Sequence, residues 1–164
     1  MGAVVLRPIE PGDYLEIASQ INNLRVTQTL TRVPFPYTLD DIYRWQRHDN
    51  RGSHVFAITI KGRAIGVVGL ESELGYWLAE PFWKQGLMGE AARSAVDFAF
   101  GRAGYDRLVS GYRHGNEASR RILIGLGFRH TGHKWVNSVA LKRPVHVATV
   151  ELTASEWRGE RARK

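Results

Sequence analysis

The apolar period of the chain changes at Val55, and this constrains the fold more than any other feature of the sequence. Before it, Leu15, Ile17, Ala18, Ile21 and Leu24 recur at helical spacing, and Ile42 and Trp45 share one face of a second segment. After it, Val55 to Ile60 is a near-continuous apolar run, Lys61-Gly62-Arg63 is a turn, and Ala64 to Leu70 returns, which predicts a hairpin. Leu74 to Leu78 reads as another strand, ended by Pro81 because proline cannot donate to a ladder. Glu90 to Ala103 then carries Ala92, Ala95, Val96, Ala99 and Phe100 on one stripe, a helix capped by Gly104. Arg107 to Tyr112 predicts a strand and Asn116 to Leu126 a helix. Trp135 to Leu141 and Val145 to Leu152 predict a terminal antiparallel pair. With Val4 to Arg7 as a first strand, this order reads as an α/β fold: one layer of mixed sheet with helices on both faces. Asp13 with Glu16, and Thr38 with Asp41, mark the two N-terminal helix starts. Arg25 to Tyr37 reads as loop.

A length of 164 residues fits one domain, taken as 1–156, and is enough for a core without covalent staples. The absence of cysteine excludes a disulfide scaffold, a thiolate nucleophile and a zinc–cysteine site. No apolar run approaches the roughly 18 residues of a membrane span. The first residues lack the basic-then-apolar pattern of a signal peptide, so a cytoplasmic protein with no membrane contact is expected. The charge is uneven. Residues 1–82 hold 8 Lys/Arg against 9 Asp/Glu, and residues 83–164 hold 15 against 7. Such a basic half suits an anionic partner, or simply an arginine-rich solvated surface. Part of it lies in residues 157–164, which show no apolar pattern and read as a flexible basic tail.

Two units carry candidate chemistry. Gly86-Leu87-Met88-Gly89 is a glycine-bracketed loop opening onto a helix, where free N–H groups and the helix dipole favour an anion such as a pyrophosphate. Lys84 adds a positive charge beside it. The loop is neither a Walker loop nor a dinucleotide fingerprint, and taken alone it is better explained as a plain strand-to-helix turn with convenient glycines. Asn116-Glu117-Ala118-Ser119 follows a strand. Asn116 suits a helix cap and also a bond to an extended ligand's amide, and Ser119 lies one turn in. The histidines have no metal-ligand spacing, so no metal is expected, and no Gly-x-Ser-x-Gly elbow is present.

Taken together, Glu73-Leu74-Gly75-Tyr76-Trp77-Leu78, Trp83 to Ala91, and Asn116-Glu117-Ala118-Ser119 running to Gly127-Phe128 and Gly132 resemble the GNAT N-acetyltransferase superfamily. The nearest branch is the ribosomal-protein-alanine acetyltransferase-like (RimJ/RimL-type) group, to which Leu6-Arg7-Pro8 and Val33 to Thr38 are also similar. The resemblance implies a mixed, mostly antiparallel central sheet of about seven strands, with helices on both faces. It implies an N-acetyltransferase that uses acetyl-CoA as co-substrate and acts on a primary amine, foremost a protein or peptide N-terminus. Small amines and antibiotics are the alternative acceptors.

The family's acetyl-CoA loop falls on Trp83, Gly86 and Met88, with Met88 in place of the usual small residue and Gly89 following it. By this resemblance Lys84, Gln85, Gly86, Leu87, Met88 and Gly89 present backbone N–H groups to the pyrophosphate. Trp77 and Leu78 meet the pantetheine and thioester in a gap between splayed strands, and Asn116 meets them from the other side. Many relatives carry a catalytic Tyr four residues after Ser119, but Leu123 stands here, so Ser119 is expected to bond the sulfur. Glu73 is expected as the base, acting through water, against the plain reading of a solvated carboxylate beside Glu71. His114 and His133 are placed within reach of the mouth. Two readings from other classes stand beside this one. A basic nucleic-acid-binding module is disfavoured, and a catalytically silent CoA-binding protein is suggested by Met88 and Leu123. The terminal strand pair offers an edge for a homodimer.

Overall fold

The computed structural model describes residues 2–49, 54–70 and 73–164. β1 (Val4–Pro8), β2 (His54–Ile60), β3 (Arg63–Leu70) and β4 (Leu74–Leu78) form one antiparallel sheet in that order. β5 (Arg107–Arg113), β6 (Arg129–Ser138) and β7 (Arg143–Thr153) form a second, in the order β5-β7-β6. The seven mostly antiparallel strands expected are present, and their hydrogen-bond ladders part between β4 and β5.

Helices cover both faces, as the period change requires. α1 (Tyr14–Ile21) and α3 (Leu39–Arg44) bury Ile17, Ala18 and Ile42 against Ala57, Ala64 and Val67. The short α2 (Leu24–Thr27) occupies part of the segment expected to be loop, capped by the Asn23 side chain. On the other face α4 (Leu87–Gly101) lays Ala91, Ala92, Ala95, Val96 and Ala99 against Ile58, Val68 and Leu70. The alanines let the helix sit close to the sheet. α5 (Glu117–Gly125) adds the fully buried Leu123.

Local chemistry explains the details. Lys61 and Gly62 both have positive φ, 50° and 81°, the twist that a two-residue hairpin turn needs. Ile58 pairs with Gly66 while Thr59 pairs with Ala64, so Ile65 is an extra residue on β3. This bulge shifts the alternation and lets both Ile65 and Val68 face α4. Gly66 lies against β4: a Cβ there would meet the Trp77 carbonyl oxygen at 2.4 Å and the Leu78 Cα at 3.0 Å. Backbone cannot give way as a side-chain tip can. Gly66→Ala is expected to cost about 1–3 kcal/mol by overpacking, read as a lower midpoint in urea unfolding.

Two expectations are corrected. Asp13 does not cap α1 with Glu16. Its carboxylate accepts from Arg7 Nη1 at 2.7 Å and Nη2 at 2.8 Å, and from the Glu10 N–H at 2.9 Å. This fork holds the Asp13 carboxyl below its ordinary range. Glu16 instead accepts from Arg63 Nε at 2.6 Å. Nor are residues 157–162 a flexible tail. They belong to α6 (Ala154–Ala162), which Thr153 and Glu156 start with a reciprocal capping box. Trp157 is 3% exposed and donates to Asp97 Oδ1 at 3.1 Å, and Arg161 pairs with the same carboxylate. One apolar residue, placed a turn after a capping box, suffices to dock a helix that shows no stripe.

Candidate active site

β4 and β5 are held together at one end and part at the other. Ser110 Oγ donates to the Leu74 carbonyl at 2.7 Å, and the Tyr105 hydroxyl to the Leu70 carbonyl at 3.0 Å. Beyond these pins a cleft of about 780 Å³ runs between Leu74–Leu78 and Ser110–Arg113, extended by the Phe82–Gly89 segment and the first turns of α5. Glu73, Trp77, Leu78, Lys84, Gln85, Gly86, Leu87, Met88, Gly89, Asn116 and Ser119 all line this one cleft.

The segment into α4 is shaped by its left-handed residues. Lys84 has φ 61°, and Gly86, the residue before α4, has φ 77°. Glu90 N–H donates to the Gly86 carbonyl, but none of the N–H groups from Lys84 to Gly89 has an acceptor among the described residues. A continuous row of free N–H groups at the start of a 15-residue helix is an electropositive cradle. Trp83 anchors its approach: the indole N–H donates to the Leu78 carbonyl at 2.7 Å, and the Arg25 guanidinium lies 5.7 Å from the ring centroid. Leu78 therefore meets the cleft with its carbonyl already engaged. Met88 sits in the first turn of α4, half-buried against the core, and Gly89 has no atom within 4 Å of where a Cβ would lie.

Across the cleft, Asn116 caps α5. Its Oδ1 accepts from the Ser119 N–H at 3.2 Å, while its Nδ2 has no partner among the described residues. Ser119 Oγ and the Tyr76 hydroxyl lie 2.8 Å apart. Burial pushes the Tyr76 phenol up to about 12, and the Ser119 bond opposes that shift in part. No motif marks Tyr76 as a site residue. Its place in the alternation, in step with the buried Leu74 and Leu78 and out of step with Trp77, is the signal that puts it on the α4–α5 side.

Glu73 Oε1 accepts from Arg32 Nη2 at 3.2 Å, and Oε2 has no protein partner among the described residues. Glu71 lies outside the described residues. Arg32, Lys84, Arg113 and Lys134 line the cleft, and Glu73 is its one carboxylate among the described residues. His114 and His133 do not line it. They group with His146, whose ring lies 5.0 Å from that of His133 and 5.9 Å from that of His114. Among the described residues no group of His, Asp or Glu could hold a metal ion, and no helix is long and apolar enough to cross a membrane.

A β4–turn–α4 unit that aims free N–H groups into a gap between two antiparallel sheets defines the acetyltransferase (GNAT) fold. The chain belongs to that family: the acetyltransferase (GNAT) domain model matches residues 3–129. It is 27% identical over 177 aligned positions to the Bacillus subtilis (strain 168) protein called "Putative ribosomal N-acetyltransferase YdaF", covering 96% of this chain and 95% of that one. Among solved structures it superposes on the spermidine N-acetyltransferase from Vibrio cholerae in complex with CoA and spermine. There the TM-score is 0.81 and the identity 18%, over 94% of this chain and 98% of that one. RimJ from Mycobacterium smegmatis in complex with CoA-disulfide gives a TM-score of 0.77 at 20% identity, over 94% of this chain and 84% of that one. At such identities these two likenesses concern the fold.

Proposed function

We propose that the cleft takes acetyl-CoA and passes its acetyl group directly to the N-terminal amine of a protein or peptide in the cytoplasm. The row of unpaired N–H groups from Lys84 to Gly89 carries this reading, because it suits a diphosphate and lies at the mouth of the β4–β5 gap. Acetyl-CoA, when bound, supplies an acetyl group activated as a thioester.

The chain's own residues do the rest. Lys84 adds charge beside the phosphates. Trp77 and Leu78 line the gap with main chain as an added strand would meet it, and the free Nδ2 of Asn116 is available to an amide carbonyl. The acceptor amine must lose a proton before it can attack. Glu73 Oε2 can take that proton through water while Oε1 stays with Arg32. Ser119 faces the cleft with a hydroxyl that can bond the departing sulfur. With no cysteine in the chain, a thiol acyl-enzyme is excluded.

The acceptor class is argued from charge. A polyamine site needs carboxylates, and among the described residues the cleft has one, paired with Arg32, beside several cations. A neutral or acidic peptide N-terminus suits it better, as does the name of the Bacillus subtilis relative. The test is to incubate the protein with acetyl-CoA and a mixed library of N-terminal peptides, then read products by mass spectrometry. The expected result is a single acetyl group on the α-amine of a subset of peptides. Acetylation confined to lysine side chains or to small amines would overturn the acceptor assignment.

A further inference from the structure

We propose that Tyr76 is a positioning residue of this site: its phenol orients the Ser119 hydroxyl so that the pair presents one O–H to the leaving sulfur. The inference rests on the acetyl-CoA reading above.

The observation behind it concerns protons. Tyr76 and Ser119 bring two O–H groups and share one hydrogen bond of 2.8 Å, and neither hydroxyl has another partner among the described residues. One O–H of the pair therefore lacks a protein acceptor, and both side chains line the cleft. Unused donors in a half-buried polar pair are costly unless a ligand or water completes them. The pair is also the one hydrogen bond that joins β4 to α5 across the cleft among the described residues. Both ends are fixed. Tyr76 packs its ring on the core cluster beside α4, and Ser119 is held in the first turn of α5 by the Asn116 cap.

The direction of the bond follows from acidity. A phenol is a stronger donor than an aliphatic hydroxyl, so Tyr76 donates to Ser119 Oγ and the Ser119 O–H turns into the cleft. Donation to its oxygen strengthens Ser119 as a donor in turn. The phenol does not give up its proton. It is held up at about 12, well above a thiol at roughly 8.5. Glu73 has taken the ammonium proton before attack; then the C–N bond forms, the C–S bond breaks with its electron pair left on sulfur, and the second proton on nitrogen leaves through water to solvent. The sulfur departs as a thiolate that accepts the Ser119 hydrogen bond and takes its proton later from solvent.

Tyr76→Phe keeps the ring and removes only the hydroxyl. The first readout needs no acceptor: free CoA is bound to each protein, and thiolate absorbance is followed from roughly pH 6 to 10. The bound thiol is expected to ionise about one unit lower in the wild type than in Tyr76→Phe, equivalent to about tenfold tighter thiolate binding. In turnover, Tyr76→Phe is expected to lower kcat about 10- to 100-fold with KM for acetyl-CoA within about twofold, the pattern of an interaction made as charge develops. Tyr76→Phe combined with Ser119→Ala is expected to be no slower than Ser119→Ala alone, because the tyrosine acts through the serine. Equal thiol ionisation in both proteins with CoA bound would overturn this inference alone. So would a Tyr76→Phe loss that persists in full in the Ser119→Ala background. Failure of the wild type to bind CoA would overturn the acetyl-CoA reading and this inference with it.

Discussion

Gly89→Asp is expected to weaken acetyl-CoA binding at least about 100-fold while leaving the protein folded. Gly89 is in the first turn of α4, with ordinary helical backbone and open space where a Cβ would stand. The side chain therefore fits, and it points its carboxylate at the cradle proposed for the diphosphate. Two unit charges 4 Å apart interact by about 1 kcal/mol in bulk water and about 4 kcal/mol near a protein surface. A carboxylate set against two phosphate charges reaches the expected loss, since each 1.4 kcal/mol is tenfold. Stability moves the other way. An acidic residue at a helix N-terminus gains about 0.3–1 kcal/mol, and leaving glycine in a helix costs about as much. Gly89→Ala is the control and should bind normally, which separates charge from volume. Gly86 is a poorer site for the experiment, because at φ 77° any substitution strains the turn itself. Calorimetric titration with acetyl-CoA, beside thermal unfolding, checks both halves. Unchanged affinity in Gly89→Asp would remove the phosphate assignment.

The second large effect is in the choice of acceptor. Spermidine is expected to react with kcat/KM at least about 100-fold below that of a peptide with neutral first side chains. Arg113 lines the cleft, and its guanidinium donates to the Gln28 carbonyl at 2.9 Å. Lys134 lines the same cleft without an ion-pair partner among the described residues, and Arg32 already engages the one carboxylate. Each additional ammonium of a polyamine meets these cations at a cost of about 1–4 kcal/mol at contact distance, and among the described residues only Glu73, shared with Arg32, is there to offset it. The difference should narrow as salt is raised, because screening shortens the range of the repulsion. Parallel initial-rate measurements at two ionic strengths test this. Spermidine turnover equal to or faster than that of the peptides would show that overall charge does not select the acceptor.

What the sequence makes legible, and what it hides, follows from the range of the interactions. β4 and the glycine turn into α4 are read directly, because strand alternation, proline and glycine act within a few residues. The helix nevertheless begins at Leu87, earlier than its apolar stripe suggests, since the left-handed Lys84 and Gly86 complete the turn before Gly89. The bulge at Ile65 is silent in sequence, for it arises from pairing between strands. α6 is hidden by composition: Arg158, Arg161, Arg163 and Lys164 mask the single buried tryptophan, whose partner Asp97 lies far away in the chain. At the site, residues in recognisable motifs gather on one cleft, whereas Tyr76 gains its meaning only from Ser119, brought beside it by the fold. The histidines show the converse. The sequence places them within reach of the mouth, but His133 faces the opposite side of its strand from the cleft-lining Lys134 and stacks with His146. The excess charge of the second half divides likewise. Arg129 pairs with Glu151 and Glu156, holding the Glu156 carboxyl at about 2, so some of the excess is structural and only part of it faces the cleft.

The main chain from Lys84 to Gly89 is expected to hold the phosphates of CoA at the mouth of the β4–β5 gap. Backbone amide NMR of the full chain, titrated with CoA, tests it most directly. The largest shifts are expected at the amides of Lys84, Gln85, Gly86, Leu87, Met88 and Gly89, with smaller ones along Tyr76 to Leu78 and at Asn116 and Ser119. Saturable CoA binding that leaves those six amides unmoved, with the shifts grouped elsewhere, would contradict it.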